Sequence, residues 1–417
     1  MSGPAPARAR RPSVVGDPAR WPWWVQVLAV WLGARAVSAV VLLVVARSQA
    51  ANPWTPAAPS YDEYTGLMWD ASWYRTIAED GYPDGLPTGV DGRVQQNAWA
   101  FFPLYPMLVR GVTAVTGASW QVVAPTLALV LGAVAALLLH RVVASAVARS
   151  SLAGTGPGRA LPLATVAVLG ASAAAPVLQV AYTESLALAL VAAVLWCLVE
   201  RRYLAAVPLV LLLGLSRAVA LPVLVAVVAH AVARRREQLD DAGDVPPGQW
   251  AAMGTLAVAA VVAGFAWPGL VGALTGVPDA YTQTQAAWRG RGVVVPVLPW
   301  FDVARFFAGS WWWLALGAVL AVGVLTVTSR SLRRLGPELW GWTAGYLGYL
   351  LVAIEPGTSL LRFLLLAFPV AAVAALPALR SSRPRAALAG VLVTALLTQA
   401  AWVALVWRLV PPSGWPP

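Results

Sequence analysis

Apolar runs of about twenty residues recur along this chain, and clusters of arginine separate them. A helix needs that length to cross a hydrocarbon core of about 30 Å, where each backbone polar group must find its partner inside its own segment. The pattern therefore points to an all-α polytopic membrane protein; a β-barrel would show short alternating strands, and none is visible. Charge agrees, since only 11% of the 417 residues are ionised, against roughly 25% in a soluble domain.

We place spans at 24–46, 120–140, 161–178, 183–199, 203–216, 218–233, 250–272, 309–328, 338–354, 359–379 and 386–407, about eleven crossings. They make one transmembrane domain over 23–410. A disordered basic cytoplasmic tail, 1–22, precedes it and a short outer tail, 411–417, follows. The first run exceeds a signal-peptide core and lacks a cleavage site, so it reads as a retained span. Two loops are long, 47–119 and 273–308. Within the first, the half-apolar segment 100–117 is interrupted by prolines, glycines and Arg110, which suits a helix lying at the interface.

The arginines orient the whole, because cytoplasmic loops collect positive charge. With the N-terminus inside, Arg141, Arg149, Arg159, Arg201, Arg202, Arg234 to Arg236, Arg330, Arg333, Arg334, Arg380, Arg383 and Arg385 all fall on one side. Eleven of the eighteen acidic residues fall on the other. The net charge of +11 is thus read as membrane orientation, and no nucleic-acid partner is expected. All 29 basic residues are arginine, a matter of genome composition. No internal repeat and no GxGxxG, Walker or HExxH pattern occurs, so a soluble nucleotide-binding domain is unsupported.

Chemistry concentrates in WDASWYRTIAEDGYP, Trp69 to Pro83. Trp69, Trp73 and Ile77 share a helical face and Gly81 can end the helix. Asp70 reads either as an N-cap, accepting from free amides, or as a general base taking the proton of an attacking hydroxyl. Trp69, Trp73, Tyr74, Tyr82, Trp99, Phe101, Phe102 and Tyr105 read as an aromatic belt at the headgroup level, or as rings that stack on a sugar or prenyl chain. Glu184 and Arg217 stand at outer span ends, with Arg362 a turn inside another. Ionisable groups at such depth usually face a bundle interior or a water-filled cavity. They either pair, as Glu184 with Arg217, or the arginines grip a phosphate. Arg289 and Arg291 are further phosphate candidates. His140 and His230 read as interfacial residues at helix C-termini, and Cys197 as a packed apolar residue. Asp62, Glu63, Asp84 and Asp91 are spare loop carboxylates whose scattered oxygens make a weak metal signal. No metal cofactor is therefore expected.

Five segments in order, WDASWYRTIAEDGYP, FFPLYP, AYTESL, LSRAVAL and LLRFLLLAFPV, resemble the phosphatidylinositol-glycan class V (PIG-V) type of mannosyltransferase and its actinobacterial relatives. These belong to the GT-C class of membrane glycosyltransferases. The resemblance implies a plasma-membrane enzyme that moves a sugar, usually mannose, from a polyprenyl-phosphate carrier to an acceptor hydroxyl with inversion, at the outer face. The acceptor would be a glycolipid, a polysaccharide or a protein. It implies Asp70 as base, with Arg217, Arg362, Glu184, Trp69, Trp73, Tyr74 and Arg289 around the donor. Relatives often have glycine or serine after the WD and RPTG at the arginine, where this chain has Ala71 and Ser216-Arg217-Ala218-Val219. The competing classes are a transporter or flippase of a lipid-linked sugar and a non-catalytic scaffold for envelope assembly. A transporter would show inverted repeats and mid-membrane charges, whereas most acids here lie in loops.

Overall fold

A computed structural model describes residues 21–240, 244–290 and 292–410; most of the tail 1–22, all of 411–417 and Arg291 lie outside them. The fold is all-helical, with a single isolated β-bridge, Thr88 to Val94, and no strand among the described residues. Helix α1 (Trp23–Ala46) leads into a structured loop holding α2 (Tyr61–Gly66), α3 (Asp70–Glu79) and α4 (Leu104–Thr116). Then come α5 (Trp120–Ala148), α6 (Gly156–Ala171), α7 (Glu184–Val199), α8 (Tyr203–Gly214), α9 (Leu221–Leu239) and α10 (Pro247–Thr275). The second long loop holds α11 (Ala280–Trp288) and α12 (Leu298–Ala308). The rest is α13 (Trp312–Thr328), α14 (Arg330–Arg333), α15 (Gly336–Ala353), α16 (Leu360–Phe363), α17 (Pro369–Leu379) and α18 (Pro384–Trp402), ending in a π-turn, Val403–Trp407.

Five helical stretches are long and apolar enough to cross a membrane, and six if one bent pair counts as a span. The chain is a multi-pass membrane protein. Two expected spans are not straight. The run 161–178 leaves helix after Ala171, passes through a 3₁₀ turn at Ala175–Gln179, and resumes only at Glu184. The run 359–379 bends by 80° between Leu366 and Pro369. Both breaks carry a proline, Pro176 and Pro369, where the missing N–H and fixed φ tolerate a turn better than a helix interior.

Several helices are short. At 1.5 Å per residue, α7 and α8 reach about 24 Å and about 18 Å, less than the roughly 30 Å core. They form a hairpin turning at Glu200 to Arg202, so the start of α7 and the end of α8 meet at the opposite end of the pair. α8 lies close against α10. A Cβ on Gly214 would stand 2.8 Å from the Ala263 Cα and press on its carbonyl oxygen. Gly214→Ala is accordingly expected to cost about 1–3 kcal/mol through overpacking, read as a lowered thermal midpoint of the purified protein.

The loop helices are folded against this bundle. α2 begins with a capping box in which Ser60 accepts from the Glu63 amide and Glu63 returns to Ser60 N–H at 2.9 Å. Glu63 is therefore committed to the cap. α4 buries Tyr105, Pro106 and Val109 and exposes Met107, Leu108, Val112 and Val115, an apolar outer face that suits lipid better than water. Two sequence readings need correction. The aromatic residues are not a lipid-facing belt: Trp69, Tyr74, Trp99, Phe101, Phe102 and Tyr105 are buried in the packed loop. His230 is not an interfacial residue either, since it is buried, with Nδ1 2.5 Å from Glu338 and Nε2 2.9 Å from the Tyr203 hydroxyl.

Candidate active site

The hairpin of α7 and α8 brings Glu184 and Arg217 together at 2.6 Å, the pairing that sequence left open. Arg362, on α16 just before the bend, reaches the same carboxylate oxygen with its Nε at 3.3 Å. Its NH1 then donates to Asp70 Oδ2 at 2.6 Å. Four residues from four distant segments thus form one chain of alternating charge, Asp70, Arg362, Glu184, Arg217, with a formal sum of zero. Such balance is what permits burial, because an unpaired ion at this depth would cost several kcal/mol.

Exposure is least in the middle of the chain of charges and greatest at its two ends. The Glu184 side chain is 1% exposed, Arg362 7%, Arg217 15% and Asp70 20%. Asp70 is the most exposed of the four. Aromatic rings close the rest: Tyr182 lies under the Arg362 guanidinium at 4.9 Å, and Phe363 faces both Arg362 and Arg217 at 5.1 and 5.3 Å. Guanidinium over a ring adds cation–π attraction where water is excluded. Burial pushes the Tyr74 phenol above its ordinary range, against the opposing charge of Arg217. Its neutral hydroxyl sits 3.4 Å from Thr183 Oγ1, which also accepts from Arg217 at 3.0 Å.

Asp70 is not the N-cap of α3. Trp69 holds that position, with φ 59° and ψ −127°, a conformation a bulky residue adopts only under strain and worth about 1–3 kcal/mol. Three contacts keep it there: its indole N–H donates to the Trp407 carbonyl at 2.8 Å, its ring lies 5.2 Å from Trp54, and its carbonyl accepts from Ser72 Oγ at 2.7 Å. The turn makes Asp70 the first helical residue. Its N–H donates to the Tyr182 hydroxyl at 3.1 Å, and its carboxylate sits at the positive end of the α3 dipole.

Tyr182, Thr183 and Trp407 are site residues that sequence reasoning missed. The signal for the first two lay in AYTES, where a Tyr-Thr pair adjoins the buried acid. Trp407, 338 residues from Trp69, carried none. A further missed residue is Arg35, in the middle of α1. It is buried, with no carboxylate partner among the described residues, and its guanidinium donates to the carbonyls of Ala175 and, at 2.6 Å, Gly170. These carbonyls are left over where α6 ends, and satisfying them is an Arg side chain's use at a helix C-terminus. Gln399 joins in, donating to Ser172 O at 3.1 Å, while Gln179 and Tyr61 hydrogen-bond at 2.8 Å. The broken segment carrying Tyr182 to Glu184 is thereby tied to α1, α2 and α18. Ala181 N–H completes the tie by donating to Thr65 O at 2.9 Å.

The other sequence candidates lie at the rim. Trp73 stacks on Phe101 at 5.8 Å and meets Trp288 of the second long loop edge-on at 5.2 Å. Tyr74 contacts Phe101 and Tyr105 at 5.2 and 5.9 Å, which brings FFPLYP to the site. Arg289 donates to the Ala353 carbonyl at 3.1 Å, at the end of α15, and is not part of the charge chain. Asp62, Glu63, Asp84 and Asp91 do not gather into a metal-binding group of three among the described residues. Set beside known proteins, the chain matches no family model and no curated protein.

Proposed function

We propose that this protein is a GT-C-class membrane glycosyltransferase of the PIG-V type, moving a sugar, mannose by resemblance, from polyprenyl phosphate to an acceptor hydroxyl. One observation carries the reading. Asp70, Glu184, Arg217 and Arg362 come from four of the five segments that bear the resemblance, and they meet in a single ion-paired chain. The fifth segment packs on it through Tyr74, Phe101 and Tyr105. In this reading the eleven apolar segments all lie within the membrane domain, the N-terminus is cytoplasmic, and Asp70 faces outward.

The chemistry follows from the exposure gradient. The acceptor hydroxyl approaches Asp70, whose carboxylate is oriented by Arg362, and gives up its proton as its oxygen attacks the anomeric carbon. The bond from that carbon to the phosphate oxygen breaks on the opposite face, so the configuration inverts and the polyprenyl phosphate departs with an added negative charge. Arg217, the more exposed arginine, compensates that charge, and Glu184 keeps both guanidiniums aimed. Strain at Trp69 fits a residue that fixes the direction of the Asp70 side chain.

The test is direct: purified protein in proteoliposomes, polyprenyl-phosphate mannose labelled in the sugar, and candidate hydroxyl acceptors. Transfer of label to an acceptor with release of polyprenyl phosphate supports the reading. Movement of intact lipid-linked sugar between leaflets, without transfer to any acceptor, would replace it with transport.

A further inference from the structure

Arginines crowd the basic end of the bundle. Some are paired: Arg149 with Glu200 at 3.1 Å, Arg201 with Glu237 at 3.4 Å, and Arg234 also with Glu237. A second group, Arg330, Arg333, Arg334, Arg380, Arg383 and Arg385, has no ion pair with a carboxylate among the described residues. The sequence explains it. After Asp302 the only acids are Glu338 and Glu355; Glu338 is buried against His230, and Glu355 follows the far end of α15.

Packing collects the six. α14 lies against α17 with Leu332 fully buried between them, which leaves Arg330 and Arg333 exposed on either side. Arg380 caps the end of α17, and Arg383 and Arg385 open α18, all three exposed. The first turn of α18 has no acid, so its dipole adds to the positive charge of those two residues instead of offsetting it. The flanking stretches are the least covered of the five long apolar ones: in the most apolar part of Leu298–Arg333 only 6% of residues are buried, and in that of Pro384–Trp407 only 17%. Val322, Val324 and Leu325 on α13 and Val393 and Leu397 on α18 are bare. An occupant must therefore present an anion to the arginines and an apolar tail beside them.

We propose that this patch holds the phosphate headgroups of anionic phospholipids, in the leaflet at the basic end of the bundle. The inference rests on the helices crossing a bilayer and is independent of sugar transfer. Guanidinium is matched to phosphate oxygens, two donors to two acceptors.

The experiment uses the full chain in mixed zwitterionic and anionic phospholipid, with native mass spectrometry counting the lipids retained after extraction. Wild type is expected to keep anionic lipid preferentially, and to lose the preference as salt rises. Arg383→Gln with Arg385→Gln is expected to weaken retention on the order of 30-fold, from about fivefold per arginine near an anionic surface. The corresponding lysine pair retains charge and orientation and should keep most of the preference. Arg149→Gln with Arg201→Gln, which removes paired arginines, should leave it unchanged. Equal retention of both lipids by wild type, or the same loss in the Arg149 and Arg201 variant, would overturn the proposal. Displacement by millimolar inorganic phosphate would also overturn it, in favour of a free-anion site. Should the glutamine pair fail to insert, a wild-type preference indifferent to salt still refutes it.

Discussion

Asp70→Asn is expected to lower sugar transfer by about 10²- to 10⁴-fold, the range that a positioned general base supplies. Asparagine keeps the shape of the side chain and still offers an oxygen to Arg362, so the contact at 2.6 Å survives in weaker form. What is lost is the capacity to take a proton from the acceptor. The stability cost should be small beside the activity cost, because Asp70 is the most exposed of the four charges and Arg362 retains Glu184 at 3.3 Å. Membrane yield and elution profile check the fold, and transfer of labelled mannose checks the chemistry. Asp70→Glu is the informative companion: it restores a carboxylate but moves it by a methylene, so it should recover part of the loss. A folded Asp70→Asn protein with wild-type turnover would leave Asp70 a structural partner of Arg362 and nothing more.

How much of this could be read beforehand differed between the helices and the site. Each expected span coincides with helix over most of its length, and the helix read from the shared face of Trp69, Trp73 and Ile77, with Gly81 to end it, occupies Asp70–Glu79. The helices are legible because length and mean hydropathy are local properties of a segment, yet among the described residues only five of them, or six with the bent pair, are long and apolar enough to cross a membrane. The breaks were not legible. Residues 161–178 and 359–379 are apolar apart from Thr165, Ser172, Ser359 and Arg362, and a nearly uniform apolar run carries no periodicity that tells a straight helix from a broken one. Pro176 and Pro369 are hints only, since Pro125 and Pro268 sit inside intact helices.

The site was half legible for a related reason. A buried acid and a half-buried arginine at the two open ends of a hairpin are close to forced to meet, and Glu184 and Arg217 do. Arg362 bridging onward to Asp70 depends on the bend after α16 and on the unusual φ of Trp69, and neither has a local signature. Arg35 donates to the carbonyl of Gly170, 135 positions away, and the Trp407 carbonyl accepts from Trp69, 338 positions away, where sequence spacing offers nothing. The aromatic residues misled for a different reason. Trp and Tyr favour the membrane interface when exposed, but a loop this rich in them buries them against one another instead, as Tyr82, Trp99 and Trp267 do at 4.5 and 5.1 Å.

Glu184→Gln should separate the two halves of the site by failing in the opposite way. Glu184 is almost wholly buried between Arg217 at 2.6 Å and Arg362 at 3.3 Å. Neutralising it leaves two guanidiniums facing one remaining carboxylate, Asp70, with an uncompensated positive charge in a site that water reaches poorly. Breaking a buried pair in this way costs about 3–5 kcal/mol, so the variant should show a sharply lower folded yield and thermal midpoint before any assay of turnover. The double substitution Glu184→Gln with Arg217→Gln removes a charge of each sign and restores the balance. It is expected to be less destabilised than the two single variants added together, by about 0.5–3 kcal/mol of coupling. Additive effects in that cycle would mean that Glu184 and Arg217 are held in place by their surroundings and not by each other. A strong coupling would identify the pair as the strut on which Arg362, and through it Asp70, is set.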